Sequence, residues 1–254
     1  MTVATAVAHE GHAPHGEHTH YTSTGLEHRK IAVWAFIGSE CMLFASLIST
    51  YLIYKGRSKV GPFPHEWSCK TSNAIGKTAE LVAGCAPADV LKPILDIPVT
   101  SQSTFVLLMS SLAMVLALAA VENKGMALPT RSGSGLWSRW LGTWDRCLAS
   151  SRFWLMATAI MGATFLGYQS YEFTSFVHEG LTIKTNLFGS SFFTLTGFHG
   201  GHVTAGVLWL LTLLAIDVKR GLTPKDTLLV DICALYWHFV DVVWIAIFTL
   251  VYLI

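Results

Sequence analysis

Five apolar runs, each long enough to cross a lipid bilayer, constrain this chain more than any other feature. They lie at about 31–53, 99–121, 153–176, 188–215 and 229–254. A helix needs roughly 20 residues to span the hydrocarbon core of a membrane. No run has a proline in its interior, and Leu, Ala, Val and Phe fill them without the alternation a barrel strand needs. The expected fold is therefore all-α, an integral membrane bundle of five transmembrane helices. Charge content agrees: 13% of the 254 residues are charged, against about 25% in ordinary soluble domains. The net charge of +1 and the lack of a basic reading motif exclude a nucleic-acid partner.

The segments between the runs carry their own signals. Residues 1–27 hold His9, His12, His15, His18 and His20 among Gly, Glu and Thr, which reads as a disordered, His-rich tail. Weak Zn²⁺ or Cu²⁺ binding is the alternative there. The tail has no apolar stretch, so the first span is expected to act as its own insertion signal. If the first span runs outward, ten Lys and Arg fall on the side of the N-terminus and seven on the other, most of these in the long loop 54–98. Long loops weigh little in the positive-inside rule, which puts the N-terminus in the cytoplasm and the C-terminus outside. Cys69 and Cys85 share that outer loop, where an oxidising compartment permits a disulfide; two free thiols remain the alternative. Between 136 and 152, Trp137, Trp140, Trp144 and neighbouring Leu recur at helical spacing with Arg between them, the pattern of an interfacial helix.

Polar side chains inside the runs need partners, because a charge at mid-bilayer costs about 2.5–3.5 kcal/mol. They are Glu40 in the first run, Gln169 and Glu172 in the third, His199 and His202 in the fourth, and Asp231, His238 and Asp241 in the fifth. His199 and His202 are three apart and share a helix face, as do His238 and Asp241. Three readings stay open from chemistry alone: a metal or haem site on the histidines, a proton path, and a structural network that joins helices. The spacing matches neither a di-iron bundle nor a zinc protease. Gly162, Gly167, Gly197, Gly200, Gly201 and Gly206 suggest close helix contacts.

Four motifs carry a resemblance. Gly197-Phe-His-Gly-Gly-His-Val-Thr-Ala-Gly206 and Tyr236-Trp-His-Phe-Val-Asp-Val-Val-Trp244 resemble the signatures of subunit III of haem–copper terminal oxidases. Ser39-Glu40 looks like the family's Ser-Glu pair, and Gln169-Ser-Tyr-Glu172 is similar to its Gln-x-x-Glu. The likeness runs from about residue 28 to the end, so 28–254 is expected to be one subunit III-like domain, of the five-helix bacterial form. It implies a two-helix plus three-helix arrangement with phospholipid in the cleft between the groups. It also implies an accessory subunit of a proton-pumping cytochrome c oxidase of the bacterial inner membrane, stabilising the catalytic subunit and supporting proton uptake. A quinol oxidase subunit and a nitric-oxide-reductase accessory protein are the alternatives. No haem, copper or other cofactor would be held by this chain; those belong to partner subunits I and II. Glu40, Gln169, Glu172, His199, His202, His238 and Asp241 would then line the lipid cleft and helix network.

Overall fold

The computed structural model describes residues 27–55, 57–58, 62–69, 75–76, 85–86, 89–123 and 150–254. The His-rich tail and nearly all of the expected interfacial segment 136–152 lie outside the described residues. Five long helices carry the fold: α1 His28–Tyr54, α2 Ile97–Glu122, α3 Ser151–His178, α4 Leu187–Arg220 and α5 Thr227–Phe248, the last ending in a π-helical turn, Thr249–Leu253. Four are both long and apolar enough to cross a membrane. The fifth, α3, has the length at 28 residues but carries Arg152, Gln169, Glu172 and several hydroxyl side chains, which lower its mean hydropathy. The chain is a multi-pass membrane protein.

Local sequence explains the helix ends. Pro98 sits in the first turn of α2, where its missing N–H is not needed. Asn186 caps α4 by accepting from Gly189 N at 2.6 Å. Gly221 ends α4 with φ of 74°, a conformation that glycine adopts without strain. Thr223 and Asp226 close a capping box ahead of α5.

Helices α2, α3, α4 and α5 form a closed ring of contacts: α2 on α3, α3 on α4, α4 on α5, and α5 back on α2. Helix α1 lies outside the ring against α4 and α5. Its buried residues are Ile37, Phe44 and Tyr51, one every seventh position, so it docks through a single narrow stripe. The expected division into a first pair and a group of three is not drawn by these contacts, because α1 and α2 share only α5 as a neighbour, α1 packing otherwise on α4 and α2 on α3. Helix α5 is the centre: twelve of its 22 residues are buried, because it meets neighbours on several sides.

Trp237 shows how that centre is filled. Its side chain is fully buried and its indole N–H donates to Ser110 Oγ on α2 at 3.0 Å. Its ring lies so close to Gly162 on α3 and Gly206 on α4 that a Cβ there would come within 2.6 and 2.8 Å of it. Gly200 on α4 is equally tight, against the Gln169 amide at 2.7 Å. Gly167, Gly197 and Gly201, also expected at close contacts, instead face open space. They lie on outward helix faces, and composition alone does not tell the two sides apart.

The loop between α1 and α2 holds a small antiparallel sheet that period-two patterning does not reveal. Its order is β2-β1-β3, from β1 Trp67–Cys69, β2 Ile75–Gly76 and β3 Val90–Leu91. Trp67 pairs with Gly76, and Cys69 with Val90. Cys69 and Cys85 are joined by a disulfide with Cα atoms 5.8 Å apart. The loop is fastened to the start of α4 by Asn186 Nδ2, which donates to the Pro62 carbonyl at 3.1 Å, and by Phe188 N, which donates to Ser58 Oγ.

Candidate functional site: polar side chains within the bundle

The polar residues of the spans do not meet at one point. They form separate clusters, each joining two or three helices. His199 and His202 make this clear. They sit three residues apart on α4, yet His199 turns inward to α5 while His202 turns to α1.

His202 Nε2 lies 3.0 Å from Glu40 Oε2. Its other ring nitrogen, Nδ1, is 2.8 Å from the Phe198 carbonyl oxygen one turn earlier. Phe44 of α1 packs edge-on against the ring at 5.0 Å, and the Tyr236 hydroxyl of α5 donates to the His202 carbonyl at 3.0 Å. Glu40 and His202 are each about one-sixth exposed, at 17% and 18%.

His199 is fully buried. Its Nε2 lies 3.2 Å from the Val240 carbonyl. A carbonyl only accepts, so Nε2 carries the hydrogen, which assigns the tautomer. The ring is held between Trp244, 4.8 Å away, and the edge of Phe165 at 5.7 Å. Trp244 is itself fixed by its N–H, which donates to Thr104 Oγ1 at 2.9 Å.

Gln169 donates from Nε2 to the Thr196 carbonyl at 2.7 Å, across the α3–α4 contact that Gly200 opens. Near the loop-facing end of α3, Glu172 is 6% exposed. It accepts from Thr100 Oγ1 of α2 at 2.6 Å and interacts with the Tyr252 hydroxyl. A cavity of about 380 Å³ opens beside it, between Lys92–Val99 and Tyr171 and Ser175 of α3, with Glu179 just past the end of that helix. On α5, His238 Nδ1 hydrogen-bonds Ser111 Oγ of α2. Asp241, one turn on, is 3% exposed, and neither of its oxygens has a hydrogen bond of good geometry among the described residues. The Ser111 hydroxyl is near enough to interact with it but makes its well-formed bond to His238.

Two further ties have no signal in the sequence. Asp217, at the end of α4, is completely buried. It accepts from Ser151 Oγ at 2.6 Å and from Leu222 N at 2.8 Å, while Arg152 donates to its backbone carbonyl at 2.9 Å. Its place beside Lys219, Arg220 and Gly221 makes it look like an ordinary solvent-facing helix end. The second is Lys30 with Asp231, 2.6 Å apart, pinning the start of α1 to α5. The sequence flagged Asp231 as a polar residue of the fifth run without finding its partner.

Among the described residues, no three His, Cys, Asp or Glu side chains are arranged to hold a metal ion. The histidine nitrogens that do bond are engaged by carbonyls, a carboxylate and a serine on four different helices.

These features define a helical membrane bundle whose intramembrane acids and histidines are arranged as interhelical ties. A family model described as cytochrome c oxidase subunit III matches residues 145–254. The cytochrome c oxidase subunit 3 of Bacillus sp. (strain PS3) is 34% identical over 88% of this chain and 84% of its own length. The quinol oxidase subunit 3 of Bacillus subtilis is 33% identical over 95% of this chain and 96% of its own. The cytochrome bo(3) ubiquinol oxidase subunit 3 of Pseudomonas aeruginosa is 32% identical over 98% and 93%. The chain belongs to the subunit III family of haem–copper oxidases, and so to an oxygen-reducing membrane complex with other subunits.

Proposed function

We propose that this chain is the accessory subunit III of a proton-pumping haem–copper oxidase, with cytochrome c as electron donor to the complex. In this reading it spans the bacterial inner membrane five times, with its N-terminus in the cytoplasm. It packs against the catalytic subunit, stabilises it and supports its proton uptake, and it holds phospholipid. Haem and copper reside in partner subunits. The observation that carries the proposal is the similarity along nearly the whole chain to subunits of complete oxidases. The local chemistry supports a role without a redox centre. The in-span histidines are engaged by Val240, Phe198, Glu40 and Ser111, and every bond but the one to Phe198 joins two helices.

A second reading, a quinol oxidase subunit, is favoured by one specific observation. The quinol-oxidase relative from Bacillus subtilis aligns over 95% of this chain, against 88% for the cytochrome c oxidase relative.

Purification of the native complex through a tag on this chain, in mild detergent, tests both. Haem absorption bands and co-purifying oxidase subunits are expected. Oxidation of reduced cytochrome c by that preparation supports the first reading, and oxidation of a quinol the second. A chain recovered alone, with no haem bands, overturns both.

A further inference from the structure

The surroundings of His202 fix how many protons the Glu40–His202 pair can hold. Nδ1 faces the Phe198 carbonyl at 2.8 Å, and a carbonyl has no hydrogen to give. Nδ1 must therefore be the donor. Nε2 faces Glu40 Oε2 at 3.0 Å, and that short contact needs one hydrogen between the two atoms. With none, an imidazole lone pair would face a carboxylate. With two, an N–H would face an O–H.

Two arrangements remain. Either the hydrogen sits on Nε2, giving an imidazolium and a carboxylate, or it sits on Oε2, giving a neutral imidazole and a carboxylic acid. Both contain the same number of protons, and both have zero net charge. They differ only by the shift of one proton along one hydrogen bond.

We propose that Glu40 and His202 form a one-proton site within the membrane: a net-neutral pair that interconverts between an ionic and an uncharged form by moving one proton along their hydrogen bond. The ionic form would tie α1 to α4 by charge, and the uncharged form by a plain hydrogen bond. The site thus offers an internal charge separation that a change in its surroundings could switch on or off.

The neighbours are consistent with a closed unit. On α5, the Tyr236 hydroxyl donates to the His202 carbonyl, and Cys233 is buried beside Tyr236. On α4, His199 spends its N–H on Val240 O. On α1, Phe44 covers the His202 ring. The Lys30–Asp231 ion pair sits ten residues nearer the start of α1 and balances its own charge. Among the described residues, no other side chain hydrogen-bonds to the carboxyl of Glu40 or the ring of His202. The pair stands on this chain's own geometry, independent of the oxidase reading.

Solid-state NMR of the full chain in lipid bilayers tests it, with ¹⁵N-histidine and ¹³C-carboxyl-glutamate labels. The pair is picked out by the dipolar contact between His202 Nε2 and the Glu40 carboxyl, and its assignment is checked by the loss of that contact in His202→Gln. Two outcomes fit: both ring nitrogens protonated beside a carboxylate, or Nε2 bare beside a carboxylic acid, with Nδ1 protonated in each. A bare Nδ1, a bare Nε2 beside a carboxylate, or an imidazolium beside a carboxylic acid overturns the proposal. Glu40→Gln is the second arm. The Gln amide can donate to Nε2, so His202 should become neutral with Nε2 bare and Nδ1 protonated. An imidazolium that persists in Glu40→Gln shows that the proton belongs to some other partner, and the proposal fails.

Discussion

Single atoms decide what each small residue of the bundle contributes. Ala at Gly206 or Gly162 would put a methyl group within 2.8 or 2.6 Å of the Trp237 ring. That ring cannot retreat without breaking its bond to Ser110. Each substitution is expected to destabilise the bundle by about 1–3 kcal/mol, read as a lower thermal midpoint in detergent. Gly167→Ala meets nothing within 4 Å and should change stability by no more than about 0.5 kcal/mol. Equal losses at all three positions would show that contact with Trp237 does not set the effect, since helix propensity alone favours Ala over Gly. Glu40→Ala removes one interhelical polar tie, worth about 1–2 kcal/mol. In the complex it should shorten turnover lifetime or lower stability while leaving the haem spectrum unchanged; loss of a haem band would contradict this.

Elements are joined here by polar bonds at their ends as much as by apolar faces. Asp217 secures the start of α3 to the end of α4 through Ser151, and holds the turn after α4 through the Leu222 N–H. Asp217→Ala leaves that N–H without its acceptor, at a cost of about 1–3 kcal/mol. Protease cleavage near 217–226 should speed up as a result; an unchanged cleavage rate would mean the contact is incidental. The loop between α1 and α2 is closed by Cys69–Cys85 across 16 positions, a bridge worth roughly 3 kcal/mol. Replacing both cysteines by serine is expected to open residues 62–69 and 89–95 to proteolysis, with the helices intact by circular dichroism.

At the scale of the whole molecule, the sequence revealed the helices better than their arrangement. Long apolar runs between short polar segments place α1 to α5 within a few residues of their observed ends, because length and hydropathy are local properties. The pairing of Glu40 with His202 was legible only as two ionisable groups at similar depth, since 162 positions separate them. Their partnership depends on how α1 and α4 are rotated, which no local pattern encodes. His199 and His202 illustrate the same limit: i, i+3 spacing says they share a face, and the packing of α5 and α1 then divides that face between two partners. Asp217 was missed because burial at a helix end comes from the next loop folding back over it.

The narrow seating of α1 has a consequence for how the chain is made. Its three buried residues and its ties to His202 and Asp231 all wait for segments synthesised much later. Synthesis proceeds at about 5–20 residues per second. The 162 positions between Glu40 and His202 therefore take on the order of ten to thirty seconds to emerge. Throughout that interval, the nascent first helix sits in the membrane with a glutamate facing lipid and no histidine to meet it. An insertase or a membrane chaperone that shelters one polar helix for that long would be part of this protein's biogenesis.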